Sequence, residues 1–164
     1  MTDGNEVYAK VPLYFDDLHL GQRFTNRKHE IDAEQITAFA RQFDPQPFHL
    51  DGETAKCAFF GELVASGWHT AAITMRLLVE GGAPIAGGIV GVGGEISWAY
   101  PVRPGDTLNV HSEVVQIAPS RSRPDRGTVT IRSETRNQDG TVVQIFVGTI
   151  VVPRRPRQQS GGTS

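Results

Sequence analysis

Apolar residues recur along the chain with two different spacings. Ile36, Phe39, Ala40 and Phe43 follow at three- and four-residue intervals, the repeat of one helix face. Asp32 precedes them and Gln35 stands three residues on, the pattern of a capping box, so a short amphipathic helix is predicted over Ala33–Phe43. Pro45 and Pro47 stop it, because proline lacks the backbone donor and restricts the residue before it. Asp51–Ala58 has room for another helical turn or two. The longest apolar run begins near Ser66 and reaches Glu80, with Gly81-Gly82 as its stop. Its apolar residues (Ala65, Ala71, Ala72, Ile73, Met75, Leu77, Leu78, Val79) fall on every face, which predicts a helix buried all round.

Outside these helices the pattern is that of strands. Gln22–Ile31 forms one before the first helix, and Gly88–Tyr100, Thr107–Ile117, Thr128–Asn137 and Thr141–Val152 follow the long one. The turn Pro101–Asp106, a basic loop over Ala118–Arg126 and the hairpin turn Gln138-Asp139-Gly140 join the last four. One strand, a short helix, a long buried helix and four strands in series predict an α+β domain in which a curved antiparallel sheet wraps the long helix. That is the hotdog fold. Its open sheet edges favour pairing with a second copy, as a homodimer or a larger even assembly. Residues 1–11 read as a flexible leader, residues 12–152 as the single domain, and residues 153–164 as a disordered tail rich in Arg, Gln, Gly and Ser.

Composition narrows the function classes. A chain of 164 residues fits one domain and can bury a core without staples. A net charge of −2 argues against a general nucleic-acid binder, which needs a concentrated positive face. The single cysteine, Cys57, excludes an intrachain disulfide and suits a reducing compartment. The first ten residues lack an apolar signal core, and the run Leu63–Val79 is interrupted by Ser66, His69, Thr70, Thr74 and Arg76. A cytoplasmic location without membrane contact is the expectation. The five histidines are scattered, so no metal site is expected, and no Gly-x-Ser-x-Gly elbow surrounds a serine. The glycines of residues 81–94 follow a helix and do not form a dinucleotide-binding fingerprint.

Candidate chemistry concentrates in one stretch. Asp44-Pro45-Gln46-Pro47-Phe48-His49-Leu50-Asp51 sets an acid and an imidazole five positions apart in a proline-stiffened loop. Eighteen residues after His49, Gly67 stands at the head of the long helix, where unsatisfied N–H groups and the helix dipole favour negative charge. Acid, base and anion-stabilising helix end together point to an activated carbonyl substrate.

These residues resemble the MaoC-like dehydratase family, which includes the (R)-specific enoyl-CoA hydratases. The likeness rests on the Asp44–Asp51 segment, on Leu63-Val64-Ala65-Ser66-Gly67-Trp68, and on the turn Pro101-Val102-Arg103-Pro104-Gly105-Asp106. It covers roughly residues 12–152. Gln46 stands where the hydratases commonly have Asn, and Met75 where some members have a serine. The resemblance implies reversible addition of water to a 2-enoyl-CoA, giving a 3-hydroxyacyl-CoA. Asp44 and His49 would be the acid/base pair, with Asp44 favoured as base and His49 as orienting partner and proton carrier. The N–H of Gly67 or Trp68 would receive the thioester oxygen. No cofactor is implied beyond the coenzyme A or acyl carrier of the substrate itself. Substrate-binding candidates are Ser66, Trp68, Arg121 and Arg123, the arginines because guanidinium suits phosphate geometry. Asp51 is expected to cap the next helical turn, His69 to serve the core or an interface, and Cys57 to be a surface thiol. The alternatives are a hotdog thioesterase, which uses the same helix end, and a non-catalytic acyl-thioester-binding module in which Asp44 and His49 only brace the loop.

Overall fold

The computed structural model describes residues 10–157. A 3-10 turn, Phe15–Asp17, leads into two short strands, β1 (Arg23–Thr25) and β2 (His29–Glu30). Helix α1 (Ala33–Phe43), two single-turn helices, α2 (Pro47–Leu50) and α3 (Gly52–Ala55), and the long helix α4 (Gly67–Gly81) follow. Four long strands complete the chain: β3 (Val90–Trp98), β4 (Thr107–Pro119), β5 (Arg126–Arg136) and β6 (Val142–Pro153). The antiparallel sheet runs β1-β4-β5-β6-β3, with β2 also on β4. This is the expected hotdog arrangement, and α4 is its central helix.

The helix ends lie where the side chains cap them. The Asp32 carboxylate accepts from the Gln35 N–H at the start of α1, and the Ser66 hydroxyl accepts from the Trp68 N–H at the start of α4. Asp51 accepts from the Glu53 and Thr54 N–H groups, the expected cap of α3. Ile73 and Leu77 of α4 pack with Ile31, Ile36, Leu108, Val110 and Val143 into one core cluster. A second cluster joins Phe15 and Leu18 to Val114, Val129, Ile150 and Val152 at the other end of the sheet.

Four expectations need correction. Helix α4 is not buried all round: Trp68, Ala72, Met75 and Val79 form an exposed stripe. The single strand predicted over Gln22–Ile31 is two, because the chain leaves the ladder between Thr25 and His29. The basic loop is shorter than Ala118–Arg126, because β4 and β5 keep pairing out to Pro119 and Gly127. Part of the tail is tied down: Arg154 pairs with Asp16 and lies over the Phe15 ring, and Arg155 pairs with Asp17 and lies over Tyr14. The rest of the tail, residues 158–164, and residues 1–9 of the leader lie outside the described residues. Lys10 bonds the carbonyls of Gly81 and Gly82 at the end of α4, where positive charge complements the helix dipole.

His69 on α4 occupies the core position expected of it. Its ring stacks on Phe39 of α1, with centroids 4.5 Å apart and planes 3° from parallel. Its Nδ1 is buried without a hydrogen-bond partner among the described residues. Burial, and secondarily the charge of His29, push its pKa down from 6.5 to about 4. Above pH 6.5 the ring is neutral folded or unfolded and has no effect on the pH slope. Between about 6.5 and 4 the unfolded chain binds a proton that the folded chain refuses, so stability falls with pH. The melting temperature should therefore drop between pH 7 and pH 5, and His69→Phe should flatten that slope. An unchanged slope in the variant would assign the acid sensitivity elsewhere.

Candidate active site

The loop after α1 is shaped by short-range hydrogen bonds. The Asp44 N–H caps α1 by donating to the Ala40 carbonyl at 2.9 Å, the Gln46 N–H turns back to the Asp44 carbonyl, and the His49 N–H reaches the Gln46 carbonyl. Pro47 opens α2, where its fixed φ suits a first helical turn. His49 is thereby carried inward and is only 5% exposed. Its Nδ1 lies 2.7 Å from the Val64 carbonyl. A carbonyl can only accept, so Nδ1 carries the proton and Nε2 is left for chemistry. That Nε2 is 3.4 Å from Asp44 Oδ2.

Asp44 is held from both sides. The Ser66 hydroxyl donates to Oδ2 at 2.6 Å, and the Gln46 amide donates to Oδ1 at 2.7 Å. Partial burial works to raise its carboxyl pKa, but these two donors and the neighbouring His49 outweigh it and hold the group below its ordinary 3.8. The carboxylate is thus ionised and fixed in direction.

The head of α4 completes the site. Its first N–H groups have no intrahelical partner. Ser66 takes that of Trp68, while that of Gly67 has no partner among the described residues. Of the two donors expected to receive an oxyanion, Gly67 is therefore the open one. A side chain at 67 is excluded by the Trp98 indole, which a Cβ would meet at 2.6–2.9 Å. Asp44, His49 and Gly67 all line one cleft of about 410 Å³, with Phe48, Phe60, Trp98 and Tyr100 as its apolar surroundings. Trp68 lies at the same cleft, edge-on to Trp98 at a centroid distance of 5.2 Å.

Other candidates lie elsewhere. Arg121 and Arg123 sit in the β4–β5 turn, beyond the Pro119↔Gly127 pair, whereas the cleft adjoins the Thr135↔Gln144 end of the sheet. Eight residues of strand separate these ends, roughly 25 Å, so one chain does not bring the two arginines to the cleft. Glu62 pairs with Arg103 on the surface, and Glu95 is exposed on β3. Met75 faces the space between α4 and the sheet, outside the cleft. Sequence reasoning passed over Val64, whose carbonyl orients His49, and Trp98, which presses on Gly67. The available signal for Trp98 was its place three residues before the Pro101–Asp106 turn.

With this geometry described, the chain can be set beside known proteins. The model of the MaoC like domain matches residues 18–137. The chain belongs to this family. It is 56% identical to a solved MaoC-like dehydratase from Rhodospirillum rubrum, with a TM-score of 0.87 over 88% of this chain and 99% of the other. The (R)-hydratase of A. caviae is 25% identical, with a TM-score of 0.61 over 84% and 98%. Among curated relatives, the 3-hydroxybutyryl-CoA dehydratase of Methylorubrum extorquens is 34% identical over 113 residues, 68% of this chain and 69% of that protein. YdeM of Bacillus subtilis, whose activity is uncharacterised, is 33% identical over 143 residues, 85% and 97%.

Ser66 joins the helix cap to the acid. Ser66→Ala should lower stability by about 1 kcal/mol through the lost cap. It should also move the Asp44 carboxyl upward, as read by carbon NMR titration of labelled aspartate. An unmoved Asp44 titration would show that Ser66 acts on the helix alone.

Proposed function

We propose that the chain is a hydratase/dehydratase of acyl thioesters, adding water reversibly to a 2-enoyl-CoA to give a 3-hydroxyacyl-CoA. The observation that carries this reading is the directed pair: a carboxylate clamped by Ser66 and Gln46 facing the Nε2 of a histidine whose Nδ1 is committed to Val64. Family membership and the similarity to a 3-hydroxybutyryl-CoA dehydratase support the reaction class.

In the hydration direction, a water held by Asp44 and His49 attacks the β-carbon while the Asp44 carboxylate takes its proton. That proton passes across the 3.4 Å to the unprotonated Nε2 of His49, which delivers it to the α-carbon. The product then holds one added oxygen and two added hydrogens, and Asp44 and His49 are back in their starting states. Charge that develops on the thioester oxygen falls to the Gly67 N–H and the positive end of α4. Dehydration is the same path reversed.

The working unit on this reading is a homodimer. Val90 and Val92 are exposed on β3, whose outer edge has no neighbouring strand among the described residues, and Met75 and Val79 extend the apolar surface across α4. Antiparallel pairing of two β3 edges sets the Val90 end of one strand beside the Trp98 end of the other. It thereby carries the sheet end that holds Arg121 and Arg123 toward the second copy's cleft, where the carrier phosphates would lie. Light scattering during gel filtration should give twice the monomer mass, and Val92→Lys should shift it toward the monomer. A monomeric wild type would overturn the dimer.

The reaction is tested by loss of the enoyl-thioester absorbance of crotonyl-CoA. Asp44→Asn and His49→Ala should each slow it by roughly 10²–10⁴-fold, with the folded state retained. Either variant keeping most of the wild-type rate, or release of free thiol by the wild type, would sink the proposal.

A further inference from the structure

A second apolar space lies behind the cleft. On the concave face of the sheet the residue rows run Trp98↔Gln144, Ile96↔Phe146 and Gly94↔Gly148. Opposite them α4 presents Ala71, Thr74, Met75 and Leu78. Together they line a partly open space of about 210 Å³. The apolar lining continues past Phe146 toward Ile85, Ile131 and Ile150. Trp98 lines the acid/base cleft and bonds Gln144, which lines this slot, so its indole stands between the two, and Trp68 borders both.

The indole is fixed there from three sides. Its Nε1–H donates to Gln144 Oε1 at 3.0 Å. The Gln144 amide nitrogen donates to Thr74 Oγ1 at 3.0 Å. Thr74 spends its own proton on the Thr70 carbonyl at 2.9 Å, so its oxygen accepts from Gln144 and from Thr135, 2.6 Å away. That assignment fixes the Gln144 amide with its oxygen toward Trp98. Gln144, Thr74 and Thr135 are each at most 2% exposed, so the relay has no water to exchange with. The indole also lies on the bare Cα of Gly67, and the Trp68 ring meets it edge-on.

We propose that Trp98, held by Gln144, closes the slot behind the cleft and restricts the acyl group to short chains of about crotonyl size. The proposal rests on the hydratase reading for its reaction and names the substrate class of the same site. Trp98 is the specificity-determining residue and Gln144 its positioning residue. An acyl chain that extends from the reacting carbons toward the sheet meets the indole before it reaches Ile96 and Phe146. Removing the ring opens an apolar path. Four extra methylenes gaining apolar burial there are worth on the order of 100-fold in kcat/KM.

The test compares kcat/KM for crotonyl-CoA and 2-octenoyl-CoA in the wild type, Trp98→Ala, Trp98→Phe and Gln144→Met. The wild type should favour the four-carbon substrate by 100-fold or more. Trp98→Ala should reduce that preference at least 10-fold through a gain on octenoyl-CoA. Gln144→Met should move the same way by a smaller factor with a blue-shifted Trp emission, because the indole N–H loses its polar acceptor, and Trp98→Phe should fall between. A wild type that accepts both chains equally, or a Trp98→Ala ratio that stays put while crotonyl-CoA is still hydrated, overturns the inference. Binding of saturated butyryl- and octanoyl-CoA, followed by calorimetry on the same proteins, separates the two readings. Chain-length discrimination that depends on Trp98 without any turnover refutes hydration and keeps the closed slot. Equal binding of both chains by wild type and variant refutes the closed slot whatever the turnover.

Discussion

The extended segment Val64–Ser66 has a polar commitment at each residue, and the cleft is built on it. The Val64 N–H donates to the Phe48 carbonyl at 3.0 Å, and the Val64 carbonyl accepts from His49. The Ala65 N–H donates to the Val102 carbonyl at 2.8 Å, tying the segment to the turn after β3. The Ser66 hydroxyl donates to Asp44 and accepts from the Trp68 N–H. Val64, Ala65 and Ser66 are nearly inaccessible, so no water competes for these groups. One buried strip of main chain thus fixes the imidazole tautomer, the direction of the carboxylate and the start of the central helix. A shift of the strip would misplace all three together.

Much of this was legible because it is local. Asp32 and Gln35 bracket α1, the two prolines end it, and Ser66 and the Gly81-Gly82 pair bound α4, so spacing alone located both helices. The pair Asp44 and His49 was legible for the same reason: a stiff loop of fixed length leaves few ways to separate them. What was not legible depends on pairings between distant segments. Composition placed apolar residues on every face of α4, but it could not show that the sheet covers only part of the circumference, leaving Ala72 and Val79 outside and Trp68 and Met75 partly exposed at its margin. The anchoring of Arg154 and Arg155 depends on Asp16 and Asp17, 138 residues earlier. The separation of Arg121 and Arg123 from the cleft is a matter of strand length and hairpin register, which a count of basic residues does not contain.

Polar groups inside the helix–sheet contact serve definition more than adhesion. A neutral hydrogen bond adds only about 0.5–1.5 kcal/mol net, but a buried group left without its partner costs about 1–3 kcal/mol. Thr70, Thr74, Thr135 and Gln144 could have been apolar at little cost to the fold. As polar groups they admit one arrangement of the amide and one orientation of the indole it holds. The contrast with His69 is informative: its Nδ1 is buried and unpaired, and its protonation is suppressed. One end of α4 carries an ordered polar relay toward the sheet, and its other buried flank carries a silenced base against α1.

The order of strands bears on how the molecule comes into being. β3 pairs with β6, and the row that matters for the cleft joins Trp98 to Gln144, 46 residues later. β1 likewise waits for β4. Contacts of such long sequence separation are slow to close. During synthesis from the N-terminus, Asp44, His49 and the head of α4 emerge while β6 does not yet exist. A nascent chain at that stage has Asp44, His49 and the helix end but lacks the Gln144 acceptor of the Trp98 indole. The cleft is complete only with the last strand, and a truncated product carries Asp44 and His49 without the Gln144 that fixes the indole beside them.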